Sequence, residues 1–308
     1  MTSPSLLVTV PGQTLAQAIG ELPDGVELAV WDLKTPAPAA HVDVLVAPYL
    51  APNVPFPGIE NVTTTLIQSQ SIGFDGVEGT LPPGRVYANA ASVHEAATAE
   101  LTLALLLAAQ RGIPESVLNA QTGLWKGSLT PSVADRRVLI VGYGGVGAAI
   151  EARLDGFETV ITRVARSARE TPYGPVHALS DLPALLPEAE IVILAVPLTD
   201  DTRDLADAAF LAALPDQALV VNIARGPVLN TAAAVAEAES GRLRFALDVT
   251  DPEPLPADHP LWTLPNVLIT PHVGGAATSM MSRMAALVRR QVAHLLAGEP
   301  VENVVIRS

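Results

Sequence analysis

The stretch "VLIVGYGGVGAAIEARL", residues 138–154, passes from an unbroken Val/Ile/Leu run through a cluster of glycines into an Ala-rich segment. Gly142, Gly144 and Gly147 stand in the G-x-G-x-x-G spacing, where a buried strand would end and a helix begin. In that setting the first glycine permits a tight turn, and the second lets backbone approach a pyrophosphate. The third lets helix and strand pack closely, while the helix N-terminus offers partial positive charge to phosphate. The spacing alone is a weak signal. The strand before it and the helix after it make a dinucleotide site the expected use.

The surrounding sequence extends this unit. RRVLIVG (136–142), TVITRVA (159–165), IVILAVP (191–197), ALVVNIA (218–224), RFALDV (244–249) and NVLITP (266–271) recur with helix-length connections. Such near-continuous apolar runs mark strands buried on both faces of a doubly wound parallel sheet. An earlier series, LLVTVP (6–11), VELAVWD (26–32), VDVLVAP (42–48), TTLIQSQS (64–71) and RVYANA (85–90), predicts a second, smaller α/β unit. Between the series lies AATAELTLALLLAAQRG (96–112), apolar on nearly every side and expected as a buried helix between two domains. A last helix is expected over about 279–298, with Met281, Met284, Leu287, Val292 and Leu295 near helical spacing. The fold class is therefore α/β, with two doubly wound parallel-sheet domains, Rossmann-like and flavodoxin-like, and a cleft between them.

Composition narrows the partners. The chain has 308 residues, with 18 Lys+Arg against 32 Asp+Glu, a formal net charge of −14 that argues against binding a nucleic-acid backbone. Cysteine is absent, which removes disulfides, thiolate nucleophiles and Cys-ligated metals together. No apolar run reaches the ~18 residues of a membrane span. The amino-terminal MTSPSLLVTVPG lacks the basic start and long apolar stretch of a signal peptide, so a soluble cytoplasmic protein without a membrane partner is expected.

Against that acidic background, "VITRVARSARE" (160–170) gathers Arg163, Arg166 and Arg169 at the end of the strand after the glycine turn. An NAD site would place Asp or Glu there for the adenosine ribose. Residues 162–168 contain no carboxylate; Glu158 precedes the strand and Glu170 lies past it. Arginine can instead fork onto a 2′-phosphate, at about 1.5–3 kcal/mol per charge-assisted bond. One or two such bonds would favour NADP over NAD by roughly ten- to a thousandfold. Arg166 and Ser167 are the expected phosphate contacts, with Arg163 or Arg169 assisting, and NADP(H) the preferred cofactor with NAD(H) possible.

Ligands of doubly wound sheets bind outside the carboxyl ends of the strands. ALVVNIA exits into Arg225, RFALDV exits through Asp248 toward Glu253, and NVLITP exits into His272. The three types suit reduction of a carbonyl by a nicotinamide. Histidine can protonate the forming alkoxide, a carboxylate on its far nitrogen orients the ring, and arginine polarises the carbonyl and can bind a neighbouring carboxylate. The other histidines, His41, His94, His177, His259 and His294, show no metal-ligand spacing, so no metal site is expected.

With these motifs in place, the chain resembles the D-isomer-specific 2-hydroxyacid dehydrogenase family along essentially its whole length. The resemblance is carried by TAELTLALLLAAQR (98–111), VGYGGVG (141–147), VPLTDDTRDL (196–205), VNIARGPVLN (221–230), ALDVTDPEPLP (246–256) and PLWTLPNVLITPHVGG (260–275). It implies that Arg225, Glu253 and His272 are catalytic, that Asp248 holds the nicotinamide amide and that Thr98 lies close to the ring. It further implies cofactor contacts at Tyr143, Gly145, Val146, Val196, Pro197, Thr202, Ile223, Ala224 and Gly274. QSIGFDGV (70–77) resembles the substrate loop, whose backbone at Ser71, Ile72 and Gly73 would receive a substrate carboxylate. Also implied are a discontinuous substrate domain, 1–97 plus 280–308, around a dinucleotide domain, 98–279, and a homodimer. Ending at 308, the chain would lack the regulatory extension of some phosphoglycerate dehydrogenases, and Glu253 stands where formate dehydrogenases carry glutamine.

The expected activity is NADP(H)-dependent reduction of 2-oxo acids, such as glyoxylate, hydroxypyruvate or a larger one, to D-2-hydroxy acids. Two alternatives remain open on sequence: a non-catalytic NADP(H)-sensing, corepressor-like protein, and an NAD-dependent member such as a phosphoglycerate dehydrogenase-like enzyme.

Overall fold

The apolar runs become strands in two separate sheets. A computed structural model describes residues 6–49, 56 and 58–308. The first five residues of the amino-terminal stretch read above lie outside these, as do 50–55 and 57 of the expected first domain. In chain order the strands are β1 (Leu6–Val10), β2 (Val26–Val30), β3 (His41–Val46), β4 (Thr63–Gln68), β5 (Val86–Ala88), β6 (Arg137–Val141) and β7 (Val160–Ala165). They continue with β8 (Arg169–Thr171), β9 (Gly174–Ala178), β10 (Ile191–Leu194), β11 (Leu219–Asn222), β12 (Arg244–Leu247), β13 (Val267–Ile269) and β14 (Val304–Arg307). The chain divides into two compact units, Met1–His94 with Ala277–Ser308, and Glu95–Ala276. Each crossing falls three residues before the one expected from sequence.

The first unit carries a six-stranded sheet in the order β14-β5-β4-β3-β1-β2, parallel except for β14, which runs antiparallel to β5. Helix Met280–Ala297 lays Met284, Leu287, Val288 and Val292 against Val8, Val10, Val44 and Leu66. An apolar stripe of this kind is what a helix covering one sheet face requires.

The second unit carries eight strands in the order β13-β12-β11-β10-β6-β7-β9-β8, all parallel except β8. Every residue of β10 and β11 is buried, as expected of a sheet covered on both faces. Strand order reverses beside β6, between β7 and β10, and ligands bind at such a switch point. The glycine turn leaves β6 there. Helix Glu95–Gln110 belongs to this unit, placing Ala99, Leu105 and Leu106 in one core with Ile140 and Ile150.

Four elements were not legible in the sequence. β8 and β9 are short, polar and interrupted by Pro175, so they show no strand periodicity; β9 pairs with β7 through Arg163 to Ala165. Helix Ile113–Gln121 has no buried residue, and strand β14 comes from a tail too short to carry a pattern.

Candidate active site

The glycine turn is shaped by what its α-carbons touch. A side chain at Gly142 would place Cβ 2.5 Å from the Ala195 carbonyl oxygen and the Val196 nitrogen, and φ there is +110°. At Gly147 a Cβ would collide with the carbonyl of Gly142, so both positions admit only glycine. At Gly144 a Cβ would meet nothing within 4 Å. Open space therefore lies over the second glycine, at the start of helix Gly145–Leu154, whose first-turn amides have no intrahelical partners. This is the space a pyrophosphate needs, so the turn fits a dinucleotide. A Cβ at Gly145 would lie 3.2 Å from Glu95 Oε1, so that side of the turn is closed.

Tyr143 and Arg163, both expected near the cofactor, make several bonds within the fold. Tyr143 N–H donates to Val164 O at 3.0 Å, its hydroxyl donates to Glu151 at 2.5 Å, and its carbonyl accepts from Arg169. All its polar groups are engaged within the fold. Burial first, then the hydrogen bond and charge of Glu151, pushes its hydroxyl up to about 12. Arg163 donates from Nε to Glu151 at 2.7 Å, and from Nη2 to the other carboxylate oxygen. Its guanidinium lies 5.8 Å from the Tyr143 ring centroid. The buried Glu151 thus holds Arg163 in an ion pair within the fold. Arg166 and Ser167, just past β7, are exposed.

Beyond β10, Val196 and Thr202 are buried, and Thr202 Oγ1 donates to Pro197 O at 2.6 Å, closing the turn. Beyond β11, fully buried Asn222 accepts from Ala224 N–H and donates to Arg225 O, both at 3.1 Å, which shapes the exit through Ile223 to Arg225. Arg225 Nη1 donates to Ala224 O at 2.7 Å. A Cβ at Gly226 would collide with Thr250 O and lie 2.8 Å from Asp251 N, so only glycine lets this exit meet the loop that leads to Glu253.

Buried Asp248, just past β12, is a clamp on the β13 exit. Its Oδ1 accepts from Thr270 Oγ1 at 2.6 Å and Val273 N at 2.9 Å, and Oδ2 accepts from Gly274 N at 2.8 Å. Its carbonyl accepts from His272 N at 2.7 Å. These bonds support the left-handed backbone of His272, φ +53°, a conformation that costs a non-glycine residue about 1–3 kcal/mol. A Cβ at Gly274 would lie 3.4 Å from Thr98 Cγ2, which places Thr98 beside the same turn. His272 Nδ1 then meets Glu253 Oε1 at 2.6 Å. Because β11, β12 and β13 are neighbours in register, Arg225, Glu253 and His272 leave one end of one sheet edge.

Ser71, Ile72 and Gly73 belong to the first unit, after β4. Ser71 N–H is engaged by Ser69 Oγ at 2.9 Å. Among the described residues, no group of three or more His, Asp or Glu side chains is placed to hold a metal ion, and no single helix is long and apolar enough to cross a membrane.

A turn open over its second glycine, at the switch point of a doubly wound sheet, with a carboxylate–imidazole pair beyond the exits of β12 and β13 in the same sheet, defines a dinucleotide-binding oxidoreductase. Residues 103–274 match the model of the D-isomer specific 2-hydroxyacid dehydrogenase NAD binding domain, and the chain belongs to that family. It is 33% identical over 246 residues to the glyoxylate reductase of Thermofilum pendens, spanning 76% of this chain and 72% of that protein. Against glyoxylate/hydroxypyruvate reductase B of Citrobacter koseri, identity is 35%, over 67% of this chain and 66% of that one. A D-isomer specific 2-hydroxyacid dehydrogenase from Xanthobacter autotrophicus, solved with NADPH and MES, superposes with TM-score 0.81 at 27% identity, covering 99% of both chains.

Proposed function

We propose that this enzyme reduces a small 2-oxo acid, of the glyoxylate or hydroxypyruvate class, to the D-2-hydroxy acid with NADPH. The observation that carries the reading is the 2.6 Å contact between His272 Nδ1 and Glu253 Oε1 at the exit beside Arg225. Glu253 engages Nδ1, so Nε2 is the nitrogen left to face a substrate oxygen. A bound nicotinamide supplies the hydride to the carbonyl carbon. His272 Nε2 delivers the proton to the carbonyl oxygen as it becomes an alkoxide. The guanidinium of Arg225 polarises that carbonyl and pairs with the substrate carboxylate.

Gly142, Gly144, Gly145, Val146 and Gly147 would hold the pyrophosphate, and Arg166 with Ser167 the 2′-phosphate. Thr98, Asp248 and Gly274 would hold the nicotinamide end, with Val196, Pro197, Thr202, Ile223 and Ala224 lining the remainder. Preference for NADP is supported by the absence of any carboxylate over residues 162–168, and by the exposure of Arg166. The glyoxylate reductase names among the relatives support the substrate class. A homodimer is supported by the helix Ile113–Gln121, whose Ile113, Val117 and Leu118 are exposed, and by Trp125 and Leu129 beyond it, which are fully exposed. A monomer leaves such patches uncovered only rarely. A cytoplasmic location completes the reading.

The test is NADPH consumption across a panel of 2-oxo acids, run beside NADH. Turnover of at least one small 2-oxo acid, with the lower KM for NADPH, is expected. No turnover with any of them would refute the activity.

A further inference from the structure

The loop after β4 sits on an unusual concentration of buried polar side chains. Gln68 and Gln291 are fully buried, and Ser69, Gln70, Asn89 and His94 are nearly so. Polar groups at such depth are costly unless paired, and these are paired in a chain that ends on the loop. Gln291 Nε2 donates to Gln68 Oε1 at 2.8 Å; Gln68 Nε2 donates to the Asn89 carbonyl at 2.9 Å; Asn89 Nδ2 donates to the Ile72 carbonyl at 2.8 Å.

We propose that Asn89 is a positioning residue for substrate, aiming the amides of Ile72 and Gly73 at the carboxylate of the 2-oxo acid; this rests on the function proposed above. The N–H and C=O of a trans peptide point in opposite directions. The Ser71 carbonyl accepts from Ala90 N–H at 2.8 Å, and the Ile72 carbonyl accepts from Asn89. Both carbonyls are therefore turned toward the end of β5. The N–H groups of the same two peptide units, those of Ile72 and Gly73, are turned away from it, side by side. Neither donates to an acceptor among the described residues. Ser71 N–H, held by Ser69, is not part of the pair, so the donors number two rather than the three inferred from sequence. Asn89 is itself fixed: its Oδ1 accepts from Ala91 N–H at 3.2 Å, and its backbone N–H donates to Asn303 O at 3.0 Å.

The test compares Asn89→Ala and Asn89→Ser with wild type. Serine can still cap the Ala91 amide as a short hydroxyl turn but cannot reach the Ile72 carbonyl, so it preserves the fold if alanine does not. KM for the 2-oxo acid and Ki for oxalate, a carboxylate mimic of it, are expected to rise together by about tenfold, the worth of one lost hydrogen bond. KM for NADPH and kcat should stay within about twofold. Unchanged KM and Ki, with only a smaller active fraction or a lower Tm, would overturn the assignment and leave the proposed reaction standing. A wild type that neither turns over a 2-oxo acid nor binds oxalate would overturn both.

Discussion

Replacing Gly144 with alanine separates what the glycine turn does for the fold from what it does for the cofactor. Gly144 has φ −99° and ψ −155°, extended backbone open to any L-residue, and an added Cβ meets nothing within 4 Å. The reduced freedom of the unfolded chain should make Gly144→Ala neutral or up to about 1 kcal/mol more stable. The methyl group nevertheless occupies the space through which backbone amides reach the pyrophosphate. Loss of one charge-assisted hydrogen bond, about 1.5–3 kcal/mol, weakens NADPH binding by roughly ten- to a hundredfold or more. Gly142→Ala is the contrast. Its Cβ lies 2.5 Å from Ala195 O and Val196 N at φ +110°, so strain and overpacking of about 1–3 kcal/mol each fall on the fold. At about 2–4 °C per kcal/mol, Tm should drop by roughly 4–24 °C. NADPH fluorescence titration beside thermal melts of both variants decides it. A Gly144→Ala protein that binds NADPH like wild type, or melts as early as Gly142→Ala, would refute the division of roles.

The ion pair beneath the turn makes a second case. Glu151→Ala leaves the Arg163 guanidinium, 12% exposed, without its carboxylate, which should cost about 3–5 kcal/mol, while the double change to Leu at both positions should cost clearly less; equal losses in a double-mutant cycle would contradict this. Tyr143 is raised to about 12, so the stability it contributes is complete below its ordinary 10 and is lost as pH rises toward 12; Tyr143→Phe should flatten that alkaline loss, and superimposable Tm–pH curves would count against it. Arg166→Ala should shift preference from NADPH toward NADH by about tenfold or more, whereas Arg163→Met should leave the KM ratio nearly unchanged, because Arg163 is held by Glu151. A reversed ranking would return Arg163 to the phosphate site.

The parallel strands, the glycine turn and the three strand exits were legible because each depends on local pattern: apolar runs, glycine spacing, and the residue that follows a strand. What escaped detection depends on pairing between distant residues. Nothing in the sequence joins Glu151 to Arg163, and once they meet, one arginine of a promising cluster becomes a structural cation. Asn222 and Gly226 shape the Arg225 exit through contacts that exist only when β11 lies beside β12. The sequence marks Asp248 as a residue at a strand exit, but the three donors from the β13 exit that converge on its carboxylate are set by strand order and carry no local signal. Asn89 carries no signal at all in isolation, because its partner carbonyl is defined only by the path of the loop.

The central claim is that His272, oriented by Glu253, protonates the substrate oxygen. Turnover of a small 2-oxo acid by His272→Gln, measured with NADPH bound at saturation and its affinity titrated separately, tests this most directly. A fall in kcat of roughly 10²–10⁴-fold with NADPH affinity retained is expected. A glutamine variant that turns over as fast as wild type would contradict it.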